Sequence, residues 1–118
     1  MLFRSSGAGM ITLDLDGFNA TSVAGVLPVS TNGAWILIGI TYDGSTLQFF
    51  KNGSPVTTIV HSGTITATTS GDLRIGLSGD GGTGLAAFKC SIDDATIYNR
   101  VLSSTEMLQL YNQTVSKK

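Results

Sequence analysis

Residues Trp35 to Gly53 read W-I-L-I-G-I-T-Y-D-G-S-T-L-Q-F-F-K-N-G, and this stretch decides the fold. Asp43-Gly44 follows an apolar run, and Asn52-Gly53 closes the return. Asn-Gly is the favoured two-residue type I′ hairpin turn, because both central positions need φ > 0. Ala34–Asp43 therefore reads as a strand, Thr46–Lys51 as its hairpin partner, and Pro55–His61 as a third strand near an edge. Ala34-Trp35-Ile36-Leu37-Ile38-Gly39-Ile40 is apolar at successive positions. That is the pattern of a central strand covered on both faces. Trp35 opens the run and is expected in the core.

Outward from this stretch, turn signals recur at about ten-residue intervals, the rhythm of an all-β domain. Met10–Asp16 alternates Ile11, Leu13 and Leu15 against Thr12, Asp14 and Asp16, and Asp16-Gly17 marks a turn. Thr21–Val29 is a weaker strand, with Pro28 at an edge or an end. Leu73-Arg74-Ile75-Gly76-Leu77 alternates again, and Ser78–Gly84 reads as a mobile glycine-rich loop. Leu85–Asn99 is expected as a long strand with Phe88, Cys90, Ile92 and Asp94 on one face. Ser103-x-x-Glu106 is a capping box that starts a short helix. Met107, Leu108, Leu110 and Tyr111 supply the apolar side by which that helix docks on the sheets.

Composition excludes several classes. A chain of 118 residues fits one domain and can bury a core without disulfides or metal. Hydrophobic residues make up 42% and charged residues 13%, a balance opposed to disorder. Net charge is −1 and the cations are scattered, with Lys117-Lys118 the sole adjacent pair. Nucleic-acid binding is not expected. No apolar run is long enough for a membrane span, and Met1–Met10 lacks the apolar stretch of a signal peptide. Cys90 is the single cysteine, so no intrachain disulfide forms.

Three segments together resemble the laminin-G-like, concanavalin A-like lectin/glucanase family. The Trp35–Gly53 stretch is similar to that family's Trp-led strand, its "TYDG" turn and its hairpin ending in "NG". Leu73-Arg74-Ile75-Gly76 is similar to its "L-x-I-G" strand. Phe88 to Tyr111, F-K-C-S-I-D-D-A-T-I-Y-N-R-V-L-S-S-T-E-M-L-Q-L-Y, resembles its closing strand and C-terminal helical turn. Two positions depart: Cys90 stands where the family usually has Gly, and Ala95 where Val is common. The resemblance implies an all-β, antiparallel jelly-roll β-sandwich with a short C-terminal helix, a single domain over residues 1–118. Met1–Asp16 resembles strands from the second quarter of such a domain, so the first strands of the full fold are expected to be lacking. A shortened sandwich leaves an uncovered edge or face. Self-association into a homo-oligomer, a dimer that covers the sheet, is the resulting expectation.

A glycosidase needs two carboxylates flanking the scissile bond. Glu106 is the sole glutamate, and the capping box accounts for it. Asp93 and Asp94 are adjacent and point to opposite faces of a strand, so they cannot act as a facing pair. The resemblance makes Asp94 a candidate ligand for structural calcium; Asp14 and Asp16, on one strand face ahead of Gly17, could seat a cation with loop carbonyls. Hydrogen bonding to a loop is the stronger reading for Asp94, and a solvated strand face for the other two. His61 and Cys90 fall on different strands, which opposes a catalytic pair. Glycan sites combine an aromatic platform with polar loop groups. The candidates are Phe18 with Asn19, Tyr42 with Asp43, and Asp80 in the glycine-rich loop. Phe18, flanked by Gly17 and Asn19, is the best exposed of them, whereas packing is the stronger reading for Tyr42.

These residues point to a non-catalytic binding module. The resemblance supplies glycan as the ligand class and a cell-surface or extracellular setting. The alternatives are a self-associating structural domain and, more distantly, a glycoside hydrolase fragment.

Overall fold

A computed structural model describes residues 2–6, 10–15, 18–22, 25–26, 34–64, 74–75, 77–78, 86–87 and 91–118. In chain order these contain strands β1 (Leu2–Ser6), β2 (Met10–Leu15), β3 (Phe18–Thr21), β4 (Ile38–Tyr42), β5 (Thr46–Lys51), β6 (Ser54–Val60), β7 (Arg74–Ile75), β8 (Leu77–Ser78) and β9 (Ala86–Ala87). Helix α1 (Ser104–Gln113) and a 3-10 turn over Val115–Lys117 follow. The chain forms two compact units, Met1–Leu27 with Ile65–Thr96, and Pro28–Thr64 with Ile97–Lys118.

In the first unit the strand order is β3-β2-β1-β7, and β8 pairs with β9. β1–β2 and β2–β3 are antiparallel, as expected. β1 and β7 run parallel, through Leu2–Arg74 and Phe3–Ile75, which corrects the purely antiparallel expectation. Leu15 pairs with Phe18, bracketing the Asp16-Gly17 pair where the turn was expected. β3 lies at Phe18–Thr21; of the strand expected over Thr21–Val29, Gly25 and Val26 form a turn, and 23–24 and 27–29 lie outside the described residues. Ser22 ends β3: the Ile11 amide donates to Ser22 Oγ at 2.9 Å, and the Ser22 amide donates to the Ile11 carbonyl at 2.8 Å. Ile11, Leu13 and Ala20 are buried, as alternation predicts. Thr12, placed on the polar face by the same alternation, is also buried.

The second unit holds the Trp35–Gly53 stretch. Its sheet order is β4-β5-β6, all antiparallel. Both hairpin turns are present. Gly44 has φ 94°, and Asn52 and Gly53 have φ 51° and 80°, the two positive values that a type I′ turn requires. Pro55 lies in β6 at a sheet edge, where its missing N–H costs no ladder bond. Phe49 pairs with Thr57 and Phe50 with Pro55, so a bulge interrupts the register there.

Two expectations change. The strand read over Ala34–Asp43 is β4, confined to Ile38–Tyr42, and among the described residues it is an edge of the three-stranded sheet, with every residue half-buried. Trp35 is 39% exposed rather than core. The reason is topological. Two consecutive tight hairpins place the middle strand, β5, at the centre, however apolar its neighbour is. Leu47, Phe49 and Phe50 of β5 are accordingly buried.

Phe50 clusters with Leu102 and Met107, and Leu110 packs against them. This is how α1 docks. Two glycines admit it. A Cβ on Gly39 would collide with Met107 Cε, and one on Gly53 would lie 2.6 Å from Leu108 Cα. The capping box is formed: the Glu106 amide donates to Ser103 Oγ at 3.2 Å, and the Ser103 amide donates to Glu106 Oε2 at 2.8 Å. Arg100 adds a two-pronged ion pair to the same carboxylate, at 3.0 and 2.7 Å. That pairing holds the Glu106 carboxyl down to about 2.

Of the long strand expected over Leu85–Asn99, β9 covers Ala86–Ala87 and residues 91–99 hold no strand, while 85 and 88–90 lie outside the described residues. Asp94 has φ 54°, a left-handed conformation that breaks an extended run and that Asp tolerates better than most residues. Its amide donates to Asp93 Oδ1 at 2.9 Å. Ile92, Ile97, Tyr98 and Val101 are exposed.

Candidate functional site

The Asp43-Gly44 turn and the chain leaving β6 meet in one corner of the second unit. Asp43 sits at the end of β4, and its Oδ1 accepts from the Ser45 amide at 2.8 Å, the Thr46 amide at 2.6 Å and the Ser45 hydroxyl at 2.9 Å. Short polar side chains fold turns in this way by satisfying nearby amides. The same bonds, led by the Ser45 amide, hold the exposed Asp43 carboxyl below its usual range. The Asp43 amide donates to the Thr46 carbonyl at 3.2 Å and closes the turn.

Tyr42 ties the second segment to the first. Its hydroxyl lies 2.5 Å from the Gly63 carbonyl and 3.0 Å from the His61 carbonyl, donating to this pair of acceptors. The His61 amide donates to the Ser45 carbonyl at 2.8 Å, and the Gly63 amide to the Gly44 carbonyl at 3.2 Å. The Tyr42 and His61 rings stand 6.4 Å apart. The outcome is a fixed corner that presents Asp43, Ser45, Ser62 and Thr64, all exposed. Tyr42 and Asp43 were both expected in a site, and the structure brings them together. His61, read as a surface strand residue, is half-buried just past the end of β6 and joins them.

The other candidates belong to the first unit or to its sequence neighbours. Asp14 in β2 pairs with Asn19 in β3. Phe18, expected in a turn, is the first residue of β3. Asp16 and Asp80 lie outside the described residues, as do Phe88, Cys90 and the side chains of Asp14, Phe18 and Asn19. Asp94 is exposed, and its carbonyl accepts from the Thr96 hydroxyl at 3.2 Å. Among the described residues no group of three or more His, Cys, Asp or Glu side chains converges on a point.

Sequence reasoning missed the second unit's aromatic contact. Lys118 Nζ lies 4.6 Å from the centroid of the Trp35 ring, within cation–π range. No local pattern signals it, because the partners stand far apart in the sequence.

Against protein-family models, residues 1–107 match the concanavalin A-like lectin/glucanases superfamily. The chain belongs to this superfamily. The resemblance carried by Trp35–Gly53, Leu73–Gly76 and Phe88–Tyr111 is thereby confirmed, and with it a β-sandwich class of fold. The superfamily holds both lectins and glucanases by its description, so membership leaves both chemistries open. No curated protein matches the chain. A crystal structure of an S-layer domain-containing protein from Clostridium thermocellum is similar, at 25% identity and a TM-score of 0.56. The match covers 87% of this chain and 52% of that one, so the chain spans about half its length. No helix among the described residues is long and apolar enough to cross a membrane.

Proposed function

We propose that this superfamily member is a non-catalytic recognition module that binds glycan through the Tyr42–Thr46 and His61–Thr64 corner. One observation carries the reading. Asp43 is exposed, all three of its hydrogen bonds fall on Oδ1, and the corner around it is already tied down by Tyr42. Oδ2 is thus presented by a rigid turn, beside the Ser45, Ser62 and Thr64 hydroxyls. A ligand hydroxyl meeting such a surface costs the protein little ordering entropy. The jelly-roll closure of the sandwich, a cell-surface setting and structural calcium belong to the same reading.

A glycan array with the purified chain, with and without EDTA, tests it. Asp43→Asn keeps the Oδ1 acceptor and the turn while converting Oδ2 to an amide donor. We expect binding that falls at least tenfold in this variant, about the worth of one hydrogen bond to a charged group. Silence with and without EDTA, or binding indifferent to Asp43→Asn, refutes the corner as the site. Loss of binding in EDTA alone supports the calcium expectation for Asp14, Asp16 and Asp94.

A second reading, a self-associating structural domain, is favoured by exposed apolar side chains. In the second unit Ile97 is 68% and Val60 83% exposed. The similar solved structure is, by its name, an S-layer domain-containing protein. Sedimentation velocity decides it: a dimer or larger at micromolar concentration supports assembly, and a stable monomer sinks it.

A further inference from the structure

The Asp43 corner carries a charge that its own chain leaves unanswered. Oδ1 takes all three of the carboxylate's hydrogen bonds, from the Ser45 amide, the Ser45 hydroxyl and the Thr46 amide. Oδ2 accepts none, and among the described residues no cation forms an ion pair with Asp43. The other acidic side chain of the second unit, Glu106, is different: Arg100 holds both of its oxygens. The bonds that fix the Asp43 turn also favour its ionised form, and led by the Ser45 amide they keep the carboxyl below its usual range.

The second segment of the corner adds neutral hydroxyls. Gly63 is tied on both sides: its amide donates to the Gly44 carbonyl at 3.2 Å, and its carbonyl accepts from the Tyr42 hydroxyl. Its neighbours Ser62 and Thr64 are thereby kept beside the Asp43-Gly44 turn. Both are exposed, and neither hydroxyl bonds to another described residue. Over Tyr42–Thr46 and His61–Thr64 the titratable side chains are Tyr42, Asp43 and His61. Tyr42 commits its hydroxyl to two carbonyls, and the His61 ring stands 6.4 Å from the Tyr42 ring. Asp43 supplies the carboxylate of the corner, and the serines and the threonine supply neutral groups around it.

We propose that the corner selects a cationic amino sugar, a glucosamine-type unit whose amine carries no acetyl group. The proposal rests on the reading of this corner as a glycan site and narrows its ligand. Facing a sugar hydroxyl, Oδ2 gains one hydrogen bond from a neutral donor, and the carboxylate charge stays unpaired. Facing an ammonium, it gains a charge-assisted bond, about twice as strong as a neutral one. Acetylation removes the positive charge and adds a carbonyl oxygen, an acceptor with nothing to offer a carboxylate. The ring hydroxyls next to the amine are then placed to meet Ser62 and Thr64. A lysine side chain would bring the ammonium without those hydroxyls. The attraction acts at an exposed surface, so salt weakens it.

Calorimetry with the full chain compares a fully deacetylated glucosamine oligomer with its N-acetylated counterpart of equal length, at a pH where the amines are protonated. The glucosamine oligomer should bind about tenfold more tightly, as a bond to a charged group exceeds a neutral one, and its lead should narrow as salt is raised. Asp43→Asn should bind the two oligomers alike. Ser62→Ala combined with Thr64→Ala should weaken both oligomers and leave the lead in place. Equal or tighter binding of the N-acetylated oligomer overturns the inference; if that binding still depends on Asp43, the corner stands as a site for neutral sugar. A lead that survives in Asp43→Asn overturns the inference, because the ammonium is then recognised elsewhere. An oligolysine of matched charge that binds as tightly as the glucosamine oligomer overturns it as well, since any ammonium would then satisfy the carboxylate. Silence toward both oligomers overturns the amino-sugar assignment, and the glycan array then decides the corner on its own.

Discussion

Replacing Gly53 by alanine should cost more than replacing either Gly44 or Gly39, and the three together dissect how α1 is held. At Gly44, φ is 94° and nothing lies within 4 Å of an added Cβ. The cost there is backbone strain alone, about 1–2 kcal/mol for a non-glycine residue in the left-handed region. Gly53, at φ 80°, carries the same strain, but its Cβ would also lie 2.6 Å from the Leu108 backbone. A backbone atom cannot rotate aside, so the helix must shift. The shift puts at risk the burial of Met107, which is 5% exposed. Burying such a side chain contributes about 1.5–3 kcal/mol. Losing half or more of that brings the total for Gly53→Ala to about 3 kcal/mol. Gly39→Ala meets Met107 Cε, the tip of a flexible chain, with ordinary φ. An off-rotamer adjustment of about 0.5–1.5 kcal/mol is there offset by the gain of about 0.5–1 kcal/mol for removing a strand glycine. Equilibrium urea unfolding followed by Trp35 fluorescence measures all three. The expected order of destabilisation is Gly53→Ala, then Gly44→Ala, then Gly39→Ala near neutral. A Gly53→Ala chain within about 0.5 kcal/mol of Gly44→Ala, the usual scatter of surface changes, refutes the docking of α1 on that turn.

Met107→Ala should destabilise by about 2–5 kcal/mol, as for other buried large-to-small changes, with an unchanged urea slope; a loss below about 1 kcal/mol contradicts the Phe50–Leu102–Met107 cluster. Glu106, the sole glutamate, titrates from 4.5 down to about 2 because of Arg100 and the Ser103 amide. A depressed carboxylate stabilises above its unfolded pKa and loses that contribution as pH falls through the folded one. Helicity should therefore decline between pH 4.5 and about 2, and Arg100→Ala should raise the Glu106 midpoint in an NMR titration; an unmoved midpoint rules out the ion pair. Tyr42→Phe removes the hydroxyl shared by the His61 and Gly63 carbonyls and should cost about 0.5–1.5 kcal/mol, with faster amide exchange at His61 and Gly63. Unchanged exchange there shows that the tie does not hold the corner.

How much of this was legible in the sequence varies by residue. Asn52-Gly53 and Asp43-Gly44 announced their turns because the information is local: a positive φ demands Gly or Asn, and an Asp side chain caps the amides beside it. Ser103-x-x-Glu106 announced the helix start for the same reason. The candidate corner was half legible. Tyr42 and Asp43 stood out as an aromatic next to a carboxylate in a turn, but His61 joins them through β6, a relation no neighbouring residue encodes. The strand read over Leu85–Asn99 failed at Asp94, where the alternation of apolar residues gave no sign of a left-handed backbone.

Trp35–Gly53 shows where the boundary falls. By itself the sequence determined two tight turns, the strands between them, the capped helix and the superfamily, since each rests on φ preferences, side-chain period or a contiguous motif. Tertiary structure alone decided that β5 and not β4 is central, that Trp35 lies at an exposed end under Lys118, and that Gly39 and Gly53 are the seats of α1. Burial and contact depend on what another part of the chain brings alongside. A strand's own apolarity states that it can be covered, and only the order of the hairpins states which strand is.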